Sequence, residues 1–196
     1  MNRAADVAIA GVALVVASPL LAVAAVAVKL DGGPVLYRQM RVGKDGVDFE
    51  LLKLRTMVVG AETMGAGLAV NEGDSRITRA GRALRRLSLD ELPQLWNVVR
   101  GDMSIVGPRP TLRYQVDRYD ARQRRRLEVK PGITGWAQVH GRASLPWPER
   151  IELDVWYVEH RTALLDLEIL VKTPLALFGG TYKGTTGGWV DQQPRS

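Results

Sequence analysis

Two adjacent carboxylates, Asp90 and Glu91, are the side chains whose types and spacing point most directly to chemistry. An ionised aspartate can act as a nucleophile, and a neighbouring glutamate can hold Mg²⁺ through its oxygens. Arg85 and Arg86 stand shortly before them in the sequence, and positive charge nearby favours the anionic form of a carboxylate. The pair could therefore supply a carboxylate nucleophile with an oxygen-liganded metal beside it.

The acidic pair also has a purely structural interpretation. The run from Ser88 to Glu91 matches the S/T-x-x-E capping box, and acidic residues are common in the first turn of a helix. The following segment favours function, because it supplies a loop bounded by Gly101 and Gly107, and Arg109 between two prolines. Glycine-bounded loops and fixed arginines are what a protein uses to grip phosphate groups. Spacing alone leaves both interpretations open.

Composition limits the class of protein and the kind of partner. The 196 residues are 46% hydrophobic and 24% charged, which fits one globular domain plus an attached segment and excludes collagen-like and disordered chains. With no cysteine and two histidines, neither a disulfide framework nor an ordinary Cys/His zinc site can form, so any metal must be held by oxygen. The net charge is +6, and residues 76–126 alone carry thirteen arginines and five acids, which indicates an anionic partner.

A run of 22 residues without charge, from Val7 to Val28, predicts a membrane segment. At 1.5 Å per residue it makes a helix of about 33 Å, enough to cross the hydrocarbon core of a bilayer. A cleaved signal peptide is the alternative, because Arg3 precedes the run and residues 22–24 look like a cleavage site. The apolar part of a signal peptide is usually only about 7–15 residues long, so a retained segment is favoured.

Ser18 and Pro19 lie near the middle of this segment and predict a bend, since proline removes an amide donor and crowds the preceding turn. A bend permits a re-entrant path, whereas a kinked single span is the alternative, because membrane helices tolerate proline. Basic residues place the C-terminal end of the segment on the cytoplasmic side, namely Lys29, Arg38, Arg41 and Lys44.

The rest of the chain predicts alternating short strands and helices. Extended runs at 35–42 and 47–56, joined by a turn containing Asp45-Gly46, predict a hairpin with Lys53 and Arg55 on one face, where such a pair commonly faces solvent. A helix follows Thr78, and the next one is predicted to open with Asp90 and Glu91. The remaining predicted elements are a tight loop over 101–110, a basic helix over 112–128, a strand over 133–139, a helix from about Pro148 and an amphipathic stretch over 164–178.

The runs SLDELPQLWNV (88–98) and RGDMSIVGPRP (100–110) strongly resemble the bacterial sugar transferase family, the monotopic phosphoglycosyl transferases. Shorter matches extend the resemblance over nearly the whole chain, at residues 33–35, 41–43, 53–57, 130–139 and 141–142. The resemblance implies a membrane-associated α/β enzyme: a re-entrant helix over 1–30, amphipathic interfacial helices and a small cytosolic catalytic domain over 31–180, with a flexible tail over 181–196. Larger members carry four further membrane helices, so the chain is expected to be the minimal form.

The resemblance also implies a reaction and its residues. The family transfers a phosphosugar from a UDP-sugar to polyprenyl (undecaprenyl) phosphate with Mg²⁺ and releases UMP, the first membrane step of glycan assembly. By resemblance, Asp90 is the nucleophile that forms an aspartyl-phosphosugar, and Glu91 is the Mg²⁺ ligand. Asp154 is a candidate substrate contact, and His140 stands where many relatives have asparagine, which favours a structural role for it. The residues expected to bind substrate phosphates or to order the site are Lys53, Arg85, Arg109 and Arg142.

These expectations place the chain at the cytoplasmic membrane of a bacterium, with the catalytic domain on the cytoplasmic face. A membrane-tethered, basic nucleic-acid-binding module is the rival function, and the charge of residues 76–126 suggests it. It lacks a stacking platform, because the aromatic residues there are only Trp96, Tyr114 and Tyr119. The expected partners are a UDP-sugar, polyprenyl phosphate and membrane lipid, without nucleic acid, and homo-oligomerisation is left open. The identity of the sugar is not encoded in a recognisable motif, and loops 60–75 and 143–150 are the candidates for specificity.

Overall fold

An apolar helix, α1 (Arg3–Leu30), opens the chain in the computed structural model, which describes residues 2–64, 70, 73–141 and 145–179. Asn2 caps α1 by accepting a hydrogen bond from the Ala5 N–H at 2.9 Å. Among the described residues α1 is the one helix long and apolar enough to cross a membrane, with a mean hydropathy of 2.5. Pro19 lies inside α1, and the helix continues through it.

A β-hairpin follows α1, as the sequence predicts. Strands β1 (Leu36–Val42) and β2 (Asp48–Leu54) pair antiparallel, with Tyr37 opposite Lys53. Asp45 and Gly46 at the turn have φ values of 56° and 78°, the positive values that a two-residue type I′ turn requires. The hairpin prediction is confirmed, and its turn fixes which side chains share a face.

Two helices separated by a 3₁₀ turn come next, namely α2 (Arg79–Arg86), the turn at Leu89–Glu91 and α3 (Gln94–Arg100). Thr78 caps α2 by accepting from the Gly81 N–H at 3.0 Å. The acidic pair therefore precedes α3 rather than opening it, which corrects the predicted boundary.

A parallel strand pair lies where the sequence predicts a loop. β3 (Ser104–Val106) pairs with β4 (Gly132–Thr134), so the tight loop predicted over 101–110 is wrong at its centre. The strand predicted over 133–139 is also wrong beyond Thr134, because α6 (Trp136–Val139) follows it. Three-residue strands are too short for periodicity to reveal. Glycine permits their close approach, since a Cβ on Gly107 would lie 2.4 Å from the Lys130 carbonyl oxygen.

The basic helix predicted over 112–128 is broken into shorter pieces. These are α4 (Arg113–Val116), α5 (Ala121–Arg124) and a 3₁₀ turn at Arg125–Leu127. Asp120 starts α5 by accepting from the Gln123 N–H at 2.8 Å. A side-chain cap in the middle of a helical pattern ends one helix and begins another, which explains the difference.

Helices α7 (Trp147–His160) and α8 (Ala163–Gly179) complete the fold and confirm the last two predicted elements. The largest buried cluster joins α1, α3, β3, α7 and α8, and includes Ala10, Val98, Met103, Tyr157 and Ile169. The other end of α1 belongs to a separate cluster of Ala24, Val28, Leu54 and Leu84. Both ends of α1 thus pack against the same body of strands and helices.

Candidate active site

The 3₁₀ turn that carries Asp90 and Glu91 is not a capping box. Ser88 adopts a left-handed conformation with φ of 54°, and within the described residues its side chain caps no backbone amide. Glu91 does not reach back to Ser88 but extends toward Lys53 and Arg109. The capping-box interpretation of the acidic pair is therefore wrong.

Glu91 is held between two cations. Lys53 Nζ, from β2, donates to Glu91 Oε1 at 3.0 Å. Arg109 forks onto both oxygens, with Nη1 at 3.2 Å from Oε2 and Nη2 bonded to Oε1. Burial by itself raises the pKa of Glu91, but the charges and hydrogen bonds of Arg109 and Lys53 outweigh it and hold that pKa well below its usual range. Glu91 is a fixed anion.

Asp90 stands beside this ion pair in a different state. Its side chain is buried, and no hydrogen bond from the described part of the chain occupies its carboxylate oxygens. Burial raises the pKa of Asp90, and the neighbouring charge of Glu91 raises it further, against the opposing charges of Lys53, Arg85 and Arg109. A carboxylate with free lone pairs inside a positive field has what a nucleophile toward phosphorus needs.

Lys53 and Arg85 bring positive charge to Asp90 from two elements. Burial lowers the pKa of Lys53, although the charge of Glu91 opposes that shift. Arg85 extends from α2 and donates through Nε to Thr56 Oγ1 at 2.7 Å. Arg55 instead lies buried and donates to the Val28 carbonyl of α1 at 2.9 Å, so it is a structural residue. The prediction that Lys53 and Arg55 form a solvated face is wrong for both side chains.

Arg109 lies on a loop whose backbone carbonyl groups accept hydrogen bonds from other arginines. Arg126 Nη2 donates to the Arg109 carbonyl at 3.0 Å, and Arg41 Nη1 donates to the Pro110 carbonyl at 3.4 Å. The Arg109 side chain remains 47% exposed while its guanidinium contacts Glu91. An arginine that is fixed at its backbone and open at its head group is suited to bind a phosphate in a planar fork.

Sequence reasoning missed Arg41 as a site residue and used it only as a topological charge and as part of the short family match at 41–43. Burial, followed by the charge of Arg109, lowers the pKa of Arg41 to about 10, and the charge of Glu91 also acts on it. Tyr37 lies four residues before Arg41 on the same face of β1. It pairs with Lys53 of β2, and its hydroxyl donates a hydrogen bond to Glu62. Alternate side chains of a strand lie on the same face, so the sequence could have placed Arg41 on the face that carries Tyr37 and Lys53.

The remaining expected site residues lie elsewhere. Asp154 is only 2% exposed and forms an ion pair with buried Arg126, so its carboxylate does not face an open substrate site. Burial raises the pKa of Asp154 to about 6, although Arg126 lowers it. His140 packs its ring on Trp136, with Nδ1 at 2.9 Å from the Trp136 carbonyl oxygen, in keeping with a structural role. Arg142 and the tail over 181–196 lie outside the described residues.

The donor set near Asp90 suits Mg²⁺ that is bound together with substrate. The described residues contain no group of three or more His, Cys, Asp or Glu placed to hold a metal. Mg²⁺ commonly uses one or two carboxylates and takes its other ligands from phosphates and water. Asp90 and Glu91 offer that number of carboxylates, and the oxygens of Asp90 carry no hydrogen bond from the described chain. The pair therefore fits a magnesium site completed by phosphate.

Comparison with known proteins agrees with this chemistry. Residues 1–180 match the model of the family described as bacterial sugar transferase. The uncharacterized sugar transferase EpsL of Bacillus subtilis is 48% identical over 154 residues, which cover 79% of this chain and 74% of the relative. The UDP-glucose:undecaprenyl-phosphate glucose-1-phosphate transferase of Caulobacter vibrioides is 44% identical over 181 residues, covering 88% and 67%.

A third relative is a longer protein. The UDP-N-acetylgalactosamine-undecaprenyl-phosphate N-acetylgalactosaminephosphotransferase of Aeromonas hydrophila is 42% identical over 187 residues, which cover 92% of this chain but 44% of the relative. The chain thus spans less than half of that protein. A family match over residues 1–180 and identities above 40% rule out coincidence, and they give the nucleic-acid module no support. The chain belongs to the bacterial sugar transferase family of enzymes.

Proposed function

We propose that this chain transfers a phosphosugar from a UDP-sugar to polyprenyl (undecaprenyl) phosphate, through a covalent aspartyl-phosphosugar intermediate, as the first membrane step of glycan assembly. The single observation that carries the proposal is the contrast within the acidic pair. Asp90 is buried among cations with free oxygens, whereas adjacent Glu91 is held by Lys53 and Arg109. The names of the Caulobacter and Aeromonas relatives, which specify sugar phosphate transfer to undecaprenyl phosphate, support the same substrates.

The proposed reaction has two displacements at one phosphorus atom. A carboxylate oxygen of Asp90 attacks the phosphorus bonded to the sugar, the phosphoanhydride bond breaks, and UMP leaves with the bonding electron pair. A phosphate oxygen of the lipid then attacks the aspartyl phosphate and releases the Asp90 carboxylate. Lys53, Arg85 and Arg109 stabilise the charge that develops on the phosphate oxygens in both steps.

Mg²⁺ is part of the proposal, with Glu91 as the ligand that the chain supplies beside Asp90. When bound, the ion neutralises negative charge on the diphosphate. Glu91 stays ionised because Arg109 and Lys53 hold its pKa low, which suits a hard cation that prefers charged oxygen ligands. Removal of divalent ions with EDTA should abolish turnover, and added Mg²⁺ should restore it. Full activity in metal-free, chelated enzyme would exclude this role of Glu91.

The proposed placement is monotopic, with the catalytic domain on the cytoplasmic face of the bacterial cytoplasmic membrane. Near the N-terminus of α1, Asp6 accepts hydrogen bonds from the Ser104 hydroxyl and the Ile105 N–H, each at 2.9 Å. Near its C-terminus, the Val28 carbonyl accepts from Arg55. A helix whose two ends contact one domain cannot place them on opposite sides of a bilayer, so a re-entrant path through one leaflet fits better than a span.

The apolar surface of the fold supports that placement. Side chains in the middle of α1 point outward, with Val12, Val15 and Val16 between 66% and 76% exposed. A second apolar stripe runs along α8 and contains Leu164, Leu167, Val171 and Leu175. Exposed apolar stripes of this kind are typical of helices that lie in a membrane interface. UDP-sugar in the cytosol and lipid phosphate in the leaflet would then meet at Asp90.

Activity is tested with the full chain in detergent, supplied with undecaprenyl phosphate and each of a panel of UDP-sugars. We expect UMP release with at least one donor. With that donor and no lipid acceptor, we expect about one UMP per enzyme and an intact mass increased by one phosphosugar, which also identifies the sugar. Absence of UMP release with every donor would overturn the proposed function, and turnover without an adduct would overturn the covalent route alone.

Topology is tested with single cysteines, because the chain contains none. Ala4→Cys and Gly46→Cys lie beyond the two ends of the apolar stretch. A membrane-impermeant maleimide should label both only from the cytoplasmic side. Labelling of Ala4→Cys from the opposite side would establish a span. Replacing both Ser18 and Pro19 by alanine should move the protein toward that span, because it removes the proline that disfavours a straight helix.

A further inference from the structure

Arg126 is a buried cation next to the proposed catalytic loop, and neither the sequence nor the proposed mechanism gives it a role. Its side chain is 3% exposed. One nitrogen, Nη1, donates to the Tyr119 hydroxyl, and the other, Nη2, donates both to Asp154 Oδ2 and to the Arg109 carbonyl, the latter at 3.0 Å. The guanidinium thus connects a buried carboxylate to the backbone of the arginine that grips Glu91.

The surroundings of Arg126 keep it in one orientation. Its guanidinium carbon lies 5.6 Å from the Tyr119 ring centroid and 5.7 Å from that of Trp147. Aromatic faces at these distances attract a cation and exclude water from it. With Asp154 on one side and two rings around it, the Arg126 head group has little freedom to leave the Arg109 carbonyl.

The loop around Arg109 is held in place by hydrogen bonds to its backbone carbonyl groups. Pro108 and Pro110 have no N–H to donate. Instead, three successive carbonyls of the loop accept hydrogen bonds: Pro108 from the Gly132 N–H at 2.9 Å, Arg109 from Arg126, and Pro110 from Arg41. The middle bond is to the carbonyl of Arg109, whose side chain contacts Glu91. Its donor, Arg126, therefore fixes the position of the Arg109 backbone.

Stability alone does not explain a charged pair at this position. Exchanging a buried ion pair for well-packed apolar residues is often neutral or stabilising, because desolvation offsets the attraction between the charges. An apolar pair of the same volume would fill the space but could not donate to the Arg109 carbonyl. The property that the ion pair adds is therefore a fixed hydrogen-bond donor beneath the loop.

We propose that Arg126, oriented by Asp154 and Tyr119, is a positioning residue that fixes Arg109 for phosphate binding. Asp154 then affects catalysis through Arg126 and Arg109 rather than by touching substrate. The inference rests on the proposed phosphosugar transfer and adds a residue to it.

A double-mutant cycle tests the proposal, with kcat/KM for the UDP-sugar measured by UMP release. Arg126→Lys should lower kcat/KM about 10- to 100-fold, because it weakens a charged hydrogen bond on which the geometry of Arg109 depends. In an Arg109→Lys background the same change should cost less than about twofold, since the fork that it positions is already absent. Equal losses in the two backgrounds would show that Arg126 does not act through Arg109.

Matched variants keep the test decisive. Arg125→Lys changes the neighbouring exposed arginine, which pairs with Glu128 and Glu159, and should stay within about twofold of wild type. Tyr119→Phe removes a single hydrogen bond from Arg126 and replaces Arg126→Lys in the cycle if that variant does not fold. Rates are normalised to the fraction of enzyme that is folded, measured by thermal unfolding. A wild type without UMP release contradicts the proposed function, whereas an active wild type with additive losses contradicts only the role of Arg126.

Discussion

Glu91 and Asp154 are both carboxylates paired with an arginine, and the two pairs differ in what surrounds them. The partner of Glu91, Arg109, is 47% exposed, and a second carboxylate, Asp90, lies beside it without a hydrogen bond from the described residues. Asp154 and its partner Arg126 are both 3% exposed. An open pair with cations in excess can receive an anionic substrate, whereas a sealed and balanced pair can only hold structure in place.

The pKa values of the two carboxyls reflect the same difference. Burial raises both. Two cations, Arg109 and Lys53, overcome burial at Glu91 and hold its pKa well below its usual range. At Asp154 the hydrogen-bonded Arg126 and the more weakly acting charge of Arg150 do not overcome it, and the pKa rises to about 6. The number of cations hydrogen-bonded to each carboxylate in the described chain, two at Glu91 and one at Asp154, separates the candidate catalytic cluster from the structural one.

Asp90→Asn should have the largest effect on activity. We expect turnover to fall at least about a hundredfold and the covalent adduct to disappear, because an amide is not a competent nucleophile. The variant should still fold, because burial already raises the pKa of the Asp90 carboxyl and a neutral amide of the same size costs less to bury than its charge. UMP release and intact mass measure the activity, and thermal unfolding measures stability. A variant that retained more than about a tenth of the wild-type rate would place the nucleophile elsewhere.

Arg109→Lys should have the next largest effect, because an ammonium cannot replace the planar fork on Glu91 and phosphate. We expect kcat/KM to fall at least about tenfold. Arg113→Lys is the matched control, since Arg113 is 46% exposed and paired with Asp48, much as Arg109 is paired with Glu91. The control should stay within about twofold. Equal losses at the two positions would mean that the arginines act only as a diffuse positive field.

The last effect is on stability rather than on activity, and it should have opposite signs at the two pairs. The raised pKa of Asp154 means that its stabilising contribution is full below about pH 4 and is lost as the pH rises through about 6. Wild type should therefore lose up to roughly 3 kcal/mol relative to Asp154→Asn over that range. The lowered pKa of Glu91 means that its contribution is present above about pH 4.5 and lost as the pH falls, so wild type should gain relative to Glu91→Gln as pH rises from 3 to 5.

Urea unfolding in detergent, followed by tryptophan fluorescence at several pH values, measures these differences. The same sign of pH dependence for both variants would remove the distinction between the pairs. Each comparison uses the wild type at the same pH, so that other titrating groups cancel.

Local sequence patterns correctly predicted the elements that depend on turn residues or on hydrophobic periodicity. The Asp45-Gly46 hairpin, the helix that follows Thr78 and the final two helices follow from such patterns. The pairing of β3 with β4 does not, because it depends on the close approach of Gly107 and Gly132, which lie far apart in sequence. Contacts between distant residues leave no local periodicity to detect.

The candidate site divides in the same way. Asp90, Glu91 and Arg109 stand in recognisable runs, so the sequence identified them, although it could not decide between a helix cap and a nucleophile. Rejecting the cap required seeing Glu91 bound to Lys53, 38 residues earlier in the chain. The role of Arg126 was equally hidden, because its partner Asp154 lies 28 residues away on a helix of ordinary amphipathic pattern.

The hydrogen bonds of Asp6 to Ser104 and Ile105 have a consequence for biogenesis. The apolar helix leaves the ribosome before its polar partner, which lies 98 residues later in the chain. During synthesis Asp6 therefore has neither of these hydrogen bonds until β3 has emerged and folded. A chain stalled before residue 104 would leave the N-terminal end of the helix without them.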